Sequence, residues 1–584
     1  MKKGLLALLF LLLTSQVRAA KAYPLPVVVK QSDGTQLTVM GRGDEALHYY
    51  LTTDGALLCH EGNDFFVARV NADGSLSPTT LLAHEKGNRN EVEQQAIQEQ
   101  DRAKFEEYVS RHQKRAASRR EPIDASAHTY FPHSGQPKVV VILAQFSDDK
   151  FIDEDPKSVF DQYLNAEEID NSVGNQTVGA NYGSVRRYFK DMSGGLFEPQ
   201  FDIYGPVTLP NPTAYYGAGT DDMSLFIPDV CKLAVEQGVD FSPYDANDDG
   251  IIDLVYVIYA GYAESFSGNA STCIWPKSGI TYANVNGKRI FRYGVNAELN
   301  GYPGCWPNEP FERISGIGLF CHEFSHCMGM PDFYPTIKEA QNAMNPGMEM
   351  WSLMDNGEYA MNGYSPTAYT AWEREAFEWF TIDTLKTSGT YQLRNIDEPD
   401  GNAYRIVNEE NPNEYFILQN IQKSGWNKGT YGHGMLVTHV DYDPYAFTLT
   451  NNSVNNTIGR SRMTVIPADG YLLNWYEVGN GSKTSSQYYQ SHAGDPYPGS
   501  ADVHEIPLFT TYTGTMKAHI ESIEETDGVI TFYFNDGTTG IRDILTDPEK
   551  QTKTYTVDGR FVGNTPSSLP KGIYIVSGRK VAIY

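Results

Sequence analysis

Short apolar runs alternate with polar residues near the start of the chain, over residues 23–83. Three Asp-Gly pairs interrupt these runs, at Asp33-Gly34, Asp54-Gly55 and Asp73-Gly74. Alternation with a period of two is typical of strands with one buried face, and Asp-Gly is a preferred pair in tight turns. The pattern predicts small antiparallel hairpins. A charged, Gln-rich stretch with helical character from Val92 to Val109 follows them.

The middle of the chain combines both periodicities. Val139–Leu143 and Leu254–Ala260 are continuous apolar runs, as in buried strands, and helices are predicted around Ser184–Asp191 and Phe226–Gln237. After Trp379 short alternating segments return, separated by Asn, Gly and Asp turns. We therefore expect an α+β catalytic-type domain followed by a β-sandwich-like domain.

One helical stretch carries a dense set of metal-binding side chains. Residues 322–332 read His-Glu-Phe-Ser-His-Cys-Met-Gly-Met-Pro-Asp. His322 and His326 are four residues apart, so on a helix they project from one face and can hold one metal ion. Gly329 can end the helix, which lets Asp332 return as a third ligand. Two imidazoles and a carboxylate would bind zinc and leave a position open for water, with Glu323 as a base on that water.

A second element downstream favours the same site. Met354 lies in Met350-Trp351-Ser352-Leu353-Met354-Asp355-Asn356-Gly357, where Asp-Asn-Gly provides turn residues. A Met in a tight turn beneath a three-ligand zinc site is the Met-turn of the extended zincins. With these residues, the chain resembles secreted metalloproteases of the immune-inhibitor-A type, relatives of the metzincins, from about Lys138 to Asp443.

This resemblance implies a metzincin-like fold and a secreted zinc endopeptidase that acts on proteins or peptides. It implies His322, His326 and Asp332 as zinc ligands, Glu323 as general base and Met354 as the Met-turn residue. A metzincin often adds a Tyr two residues after that Met, where this chain has Asn356, so Tyr359 and Tyr364 are the nearest candidates. Within the zincins a gluzincin remains an alternative, with Glu349 or Glu358 as third ligand.

An acidic loop precedes the second predicted strand. Asp245, Asn247, Asp249 and Asp253 occupy loop positions 1, 3, 5 and 9, and Gly250 occupies position 6, as in a calcium loop. Position 12 is Tyr256 and not the bidentate Glu of an EF-hand. A calcium site and a metal-free Asp/Gly turn both remain open.

The charged composition of the chain limits the classes of partner that it can bind. With 46 Lys and Arg against 73 Asp and Glu, the net charge is −27, which disfavours binding to nucleic acid or anionic membranes. Lys2, Lys3 and an apolar run to Leu13 precede Val17-Arg18-Ala19, so a secretory signal peptide cleaved after Ala19 is predicted. We find no other run of about 20 apolar residues, and hence predict no transmembrane segment.

Cys273 and Cys305 are the preferred disulfide pair, whereas Cys321 and Cys327 are too far apart on a helix to bridge.

The ends of the chain suggest processing and export. The basic stretch from Arg111 to Arg120 is expected to be an exposed, protease-sensitive linker after a propeptide. Residues Tyr555–Gly563 and Lys571–Val581 resemble the C-terminal sorting domain of type IX secretion, which implies that machinery as a partner and a secreted or cell-surface location after passage through the periplasm. A plain terminal β extension is the alternative.

The predicted domains are a signal peptide (1–19), a propeptide (20–125), a zinc metalloprotease domain (126–385), a β-sandwich-like domain (386–540) and a sorting domain (541–584). A surface adhesin or binding protein with a structural zinc is the competing function. Substrate specificity and oligomeric state cannot be derived from the sequence.

Overall fold

The computed structural model describes most of the chain between residues 17 and 537 and four short strands beyond. The described residues are 17–19, 22–23, 26–44, 47–109, 130–170, 180–217, 223–266, 269, 272–303, 312–479, 481–537, 554–556, 561–563, 572–576 and 579–583. The predicted signal peptide before Val17, the basic linker from Arg111 to Arg120, and Cys305 lie outside these residues.

The first unit is a six-stranded antiparallel meander, which we call the N-terminal sheet. Its strands are Val27–Lys30, Gln36–Asp44, Leu47–Thr52, Leu57–Glu61, Asp64–Val70 and Leu76–Leu82, each paired with the next. The glycines of the three Asp-Gly pairs have φ of +87°, +87° and +95°, a conformation that glycine adopts without strain. Helices Glu91–Gln98 and 102–109 follow a short 3-10 turn at Lys86–Asn88. The hairpin prediction is confirmed.

The second unit is built around a mainly parallel sheet, the central sheet. In spatial order its strands are Val17–Ala19, Lys277–Val285, Lys288–Leu299, Val255–Tyr262, Lys138–Gln145 and Gln200–Thr208, and Ile251–Ile252 also pairs with Lys288–Leu299. The last four strands of that order are parallel to one another, whereas Lys277–Val285 is antiparallel to its larger neighbour and is followed at the edge only by the short strand Val17–Ala19.

Both faces of the central sheet are covered, which explains its continuous apolar runs. Val139, Val141 and Leu143 belong to one buried core, and Val140 and Ile142 belong to the other. The unit contains α-helices Pro156–Asn165, Val185–Met192, Thr213–Gly217, Met223–Glu236, Ile317–Cys327, Lys338–Asn342 and Ala371–Ala376, with 3-10 turns at Ser242–Tyr244, Glu349–Trp351 and Asn356–Gly363. The helix Ile317–Cys327, here named the motif helix, packs on the first face, and Met223–Glu236 packs on the second.

The third unit consists of two facing sheets. One contains Asp383–Thr384, Ala403–Val407, Glu414–Ile421, Gly434–Asp441 and Met463–Val465, and the other contains Gly389–Leu393, Val529–Asn535 and His519–Thr526. A small ribbon, Thr510–Thr511 with Gly514–Thr515, helices Trp475–Gly479 and Ser485–Ser491, and 3-10 turns Gly425–Gly429 and His492–Gly494 complete it.

The five-stranded sheet is shared between two cores. Along one strand, Phe416 and Leu418 face the three-stranded sheet, whereas Tyr415 and Ile417 belong to the core that contains the motif helix. Successive side chains of a strand point to opposite faces, so this strand is buried on both. The third unit is therefore packed directly on the central unit.

Four strands near the end of the chain, Thr554–Thr556, Phe561–Gly563, Gly572–Val576 and Arg579–Ile583, form a separate antiparallel sheet. The mixed helix-and-sheet class predicted from the sequence is confirmed, whereas the domain boundaries stay predictions. Within the described residues, no helix has both the length and the apolar character needed to cross a bilayer.

Candidate metal centre

The motif helix ends where the sequence predicts. Helical residues run from Ile317 to Cys327, and Gly329 follows with a φ of +107°. The amide of Met330 donates to the carbonyl of Ser325 at 3.1 Å, which closes the helix end and turns the chain back. A Cβ at Gly329 would lie 3.2 Å from the Tyr130 ring, so space as well as backbone conformation favours glycine here.

Three buried side chains converge just after this turn. The Nε2 atoms of His322 and His326 each lie 3.2 Å from Oδ1 of Asp332. Both imidazoles are fully buried, and Asp332 is 2% exposed. Two ligands of one tetrahedral zinc ion, each about 2.0–2.1 Å from it, would lie roughly 3.3 Å apart. The observed separations therefore fit a zinc ion.

Backbone carbonyls orient both imidazoles. Nδ1 of His322 lies 2.9 Å from the carbonyl oxygen of Leu353, and Nδ1 of His326 lies 2.7 Å from that of Met330. Each Nδ1 therefore donates its hydrogen to a carbonyl, and Nε2 is the nitrogen of each ring that faces Asp332. Metal-binding histidines are commonly held in this way.

The three converging ligand atoms lack hydrogen-bond partners in the described part of the chain. Nε2 of His322, Nε2 of His326 and Oδ1 of Asp332 are buried and form no hydrogen bond within the described residues. Buried polar atoms are normally satisfied, and a cation between these three would satisfy all of them. They form the one group of His, Cys, Asp or Glu among the described residues whose atoms are arranged to hold a metal.

The charges at the site are strongly coupled. Burial tends to lower the pKa of His322, but the carboxylates of Glu358 and Asp332 outweigh burial and raise that pKa to about 10. Burial tends to raise the pKa of Asp332, yet His326 and His322 hold it well below its usual range. Asp332 is therefore an anion beside two imidazoles, a favourable environment for a divalent cation.

Glu323 lies in the same buried environment. Neither of its carboxylate oxygens has a hydrogen bond of normal geometry within the described residues, although Ser278 is close enough to favour the charged form. Burial raises the pKa of Glu323, against the influence of His326 and His322. A carboxylate with a raised pKa accepts a proton more readily than an ordinary one, as a general base must.

The turn containing Met354 supports the motif helix from below. Met354 is fully buried, and its carbonyl accepts a hydrogen bond from the Phe333 amide at 2.8 Å. Its own amide donates to Oγ of Ser352 at 3.0 Å, and that hydroxyl donates to the buried carboxylate of Glu373 at 2.7 Å. The turn is thus rigid and adjoins His322 through the Leu353 carbonyl.

The alternative third ligands lie elsewhere. Glu349 accepts hydrogen bonds at Oε2 from the Tyr488 hydroxyl at 2.9 Å and from the Trp475 amide at 3.1 Å. Glu358 approaches Nδ1 of His322 at 3.6 Å, the nitrogen that faces away from Asp332. The geometry thus places Asp332, and not Glu349 or Glu358, opposite both Nε2 atoms.

The two tyrosine candidates, Tyr359 and Tyr364, differ in their surroundings. The hydroxyl of Tyr364 donates to the carbonyl of Ile314 at 2.7 Å, and Asn356 donates to Glu349 and Tyr488. Tyr359 instead lies within the electrostatic influence of Glu358 and Glu323, and its pKa is raised above all by burial. Tyr359 therefore stays a candidate for a role beside Glu323.

The acidic loop forms a tight turn closed by its own amides. Asp245 accepts hydrogen bonds from the amides of Asp249 and Gly250, and Asp253 accepts one from Ala246. Nζ of Lys288 lies 2.5 Å from Oδ2 of Asp245, so a lysine charge already neutralises the first of the predicted calcium ligands. Asn247 donates to Asp249 at 3.0 Å. Calcium binding remains a prediction.

The structure adds a contact that spacing along the chain could not reveal. Asn452, from the third unit, donates from Nδ2 to Oδ2 of Asp332 at 2.5 Å, and its Oδ1 accepts from the Asp332 amide at 2.7 Å. The two residues are 120 positions apart. The Asn-rich run at 451–456 was the only visible hint, and such runs more often mark ordinary turns.

Two charged residues of the third unit, His439 and Asp441, are engaged in ion pairs. His439 is paired with Glu414 at 3.0 Å, and Asp441 is paired with Arg460 and Arg462. Cys321 and Cys327 are buried thiols without a disulfide, as expected from their spacing. The pairing of Cys273 with Cys305 stays a prediction because Cys305 lies outside the described residues.

Comparison with known proteins agrees with this site. Residues 128–382 match the sequence profile of the family described as immune inhibitor A peptidase M6, catalytic domain. Immune inhibitor A of Bacillus thuringiensis subsp. alesti is 25% identical over 279 residues, covering 41% of this chain and 39% of that protein. The pre-pro-metalloprotease PrtV of Vibrio cholerae serotype O1 (strain M66-2) is 23% identical over 221 residues, covering 34% of this chain.

The chain spans 39% of the length of the first relative and 24% of the second, so the likeness concerns one region of each. The family match over residues 128–382 includes the motif helix, Asp332 and the Met354 turn. Over residues 128–382 the chain matches the catalytic domain of the peptidase M6 family, a family of metalloproteases.

Proposed function

We propose that this chain is a secreted zinc-dependent endopeptidase, made as a latent precursor, that hydrolyses peptide bonds of extracellular proteins. The convergence of His322, His326 and Asp332 beside the buried carboxylate of Glu323 carries this proposal. Three protein ligands leave a tetrahedral zinc ion one open position, as catalytic sites require and structural sites usually do not. That open position disfavours an adhesin with a structural zinc.

In the proposed reaction Glu323 takes the proton of the attacking water and passes it to the leaving amine. Bound zinc would polarise the scissile carbonyl and acidify the water. The carbonyls of Leu353 and Met330 keep both imidazoles in the tautomer that presents Nε2. Tyr359 is our candidate for stabilising the oxyanion, since the charge of Glu323 acts on it whereas the Tyr364 hydroxyl donates to the Ile314 carbonyl.

Replacing the base tests this function. Glu323→Gln should retain zinc and fold but lose about 10²–10⁴-fold of casein-hydrolysing activity, because a general base contributes on that order. Zinc content by metal analysis and kcat/KM on casein would be compared with Glu236→Gln, which changes an exposed Glu at the end of a helix on the opposite face of the sheet. Near-normal turnover by Glu323→Gln would refute the mechanism.

Latency is supported by contacts of the first residues with the central unit. Val17–Ala19 pairs antiparallel with the strand Lys277–Val285, and Arg18 is opposite Ser278 in the register. The ring of Tyr23 stacks on Phe266 at 4.4 Å and meets the edge of Tyr359 at 5.3 Å. Cleavage after Ala19 would remove the short strand but leave Tyr23 beside the site. Residues 20–125 would thus act as a propeptide that obstructs access.

Two further proposals concern stability and export. The loop from Asp245 to Asp253 would bind Ca²⁺ in place of the Lys288 ammonium, because its oxygen-bearing side chains occupy the spacing of a calcium loop. The four-stranded terminal sheet would serve as the sorting signal for type IX secretion, since its sequence resembles those signals. Its compact β structure is also compatible with a plain extension.

A further inference from the structure

We infer that Asn452 is a positioning residue for the metal centre: it fixes Asp332 so that one carboxylate oxygen, Oδ1, faces both imidazoles. This inference rests on the proposed metal site but not on the identity of the reaction. It also means that the third unit, which lies beyond the matched region 128–382, completes the centre.

The two hydrogen bonds of Asn452 hold Asp332 by both its backbone and its side chain. The amide group donates to Oδ2 at 2.5 Å, and the amide oxygen accepts from the Asp332 N–H at 2.7 Å. With Oδ2 engaged, Oδ1 is the atom left to face His322 and His326. A single-oxygen ligand with its second oxygen hydrogen-bonded is pre-oriented before a metal arrives.

Asn452 is itself held rigidly. It is 5% exposed and has a φ of +46°, a conformation that Asn tolerates better than most residues. Its carbonyl accepts from the Thr336 hydroxyl at 2.9 Å. An amide in a fixed place can position a neighbouring carboxylate, whereas a mobile one could not.

Other asparagines of the loop 451–456 form hydrogen bonds with residues 332–337, the stretch of chain that begins at Asp332. Asn455 donates to the carbonyl of Phe333 at 2.7 Å. Oδ1 of Asn456 accepts from the amides of Thr336 and Ile337 at 2.8 and 3.3 Å, and its Nδ2 donates to the Thr336 hydroxyl. The loop thus follows residues 332–337 closely, but of these three asparagines only Asn452 contacts Asp332 in the described structure.

The choice of amide over carboxylate is chemically informative. Asn452 offers a neutral donor to an anionic oxygen, which strengthens the hydrogen bond without adding charge. An Asp at this position would keep the acceptor for the Asp332 amide but would replace the donor by a second carboxylate oxygen. Asn452→Asp therefore removes one hydrogen bond to Asp332 and keeps the other, while the volume of the side chain hardly changes.

The test uses the full-length chain with four substitutions: Asn452→Ala, Asn452→Asp, Asn456→Ala as the matched control and Asp332→Ala as the reference for complete loss of the ligand. Zinc affinity would be measured by competition with a chelator. The geometry of the metal ligands would be followed by the visible absorption spectrum of the Co²⁺-substituted protein. Thermal unfolding of the metal-free proteins would separate loss of fold from loss of orientation.

We expect Asn452→Ala and Asn452→Asp to weaken zinc binding by about 10–100-fold and to alter the Co²⁺ spectrum, as loss of an outer-shell partner typically does. Asn456→Ala should leave both unchanged, even if it lowers the melting temperature. Unchanged zinc affinity and spectrum in Asn452→Asp, the variant that preserves volume, would overturn the inference. Equal losses in Asn452→Ala and Asn456→Ala would also overturn it, since the loop would then act only through stability. If wild-type protein binds zinc tightly but cleaves no protein, the proposed function fails while this inference stands.

Discussion

At the residue scale, one ion pair bears on the proposed binding of calcium by the acidic loop. Asp245 is already paired with Lys288, and hydrogen bonding to Asp245 raises the pKa of this lysine, which keeps it charged. A cation entering the loop must displace that ammonium or tolerate its repulsion. The loop thus combines a suitable set of oxygens with a built-in competitor.

Removing the competitor should therefore expose the site. Lys288→Met is expected to increase the rise in melting temperature on adding Ca²⁺, with zinc held saturating, because the carboxylates of Asp245 and Asp248 lose the ammonium with which they are paired. Lys232→Met, at an exposed helical position, is the matched control. If neither protein responds to Ca²⁺, the loop is a metal-free turn.

The residues of the centre show how far sequence alone can lead. His322, His326 and Asp332 follow from helix periodicity and a glycine turn, because their relation is local. The role of Asn452 could not be predicted in this way, because its contact with Asp332 depends on how the third unit packs on the central unit. The same applies to Glu349, a candidate third ligand in the gluzincin alternative, which in the structure accepts hydrogen bonds from Tyr488 and Trp475.

At the scale of elements, continuous apolar runs predicted two strands of the central sheet, Val139–Leu143 and Leu254–Ala260, and alternating runs predicted the hairpins of the N-terminal sheet. The predicted strand Val139–Leu143 lies within the observed Lys138–Gln145, and the predicted helix Phe226–Gln237 overlaps the observed Met223–Glu236. Periodicity could not indicate that the strand Glu414–Ile421 is buried on both faces, since that depends on the two cores it separates.

The first segment is the element on which the proposed latency would depend. Tyr23 contacts Phe266 and Tyr359, and its amide donates to the Ser265 carbonyl at 2.9 Å. His48 of the N-terminal sheet pairs with Glu264 at 2.9 Å. These contacts attach the segment to the loop that precedes the strand Lys277–Val285.

Cleavage between Arg111 and Arg120 should therefore produce the active enzyme, whose N-terminus we expect between Lys114 and about Asp124. Tyr23→Ala should raise the basal activity of the uncleaved chain, since it removes the aromatic ring beside Tyr359. Tyr108→Ala, which changes a residue packed at the Gly74 turn, should not. N-terminal sequencing and peptidase assays of cleaved and uncleaved protein would show both effects. A fully active enzyme that still begins near Ala20 would contradict latency.

At the scale of the whole molecule, the central and third units act as one body. The core of the motif helix continues into the five-stranded sheet, and buried pairs such as Trp351 with Asp495 cross between the units at 2.7 Å. A fragment limited to residues 128–382 would expose this core and lose Asn452. We therefore regard the third unit as part of the enzyme and not as an accessory.

The terminal sheet differs in this respect, and deleting residues 540–584 should separate export from catalysis. Its strands pair only with one another among the described residues, and none of the proposed metal ligands lies within 200 or so positions of it. The truncated chain should keep its zinc, melting temperature and kcat/KM, but accumulate in the periplasm, because a sorting segment is an address and not part of a site. Activity in medium, surface and periplasmic fractions would be compared with that of the full chain, and a reporter fused to residues 540–584 would test whether the segment suffices. Normal export of the truncated chain would make the sheet a structural extension, and a folded but inactive truncated chain would mean that it braces the protease.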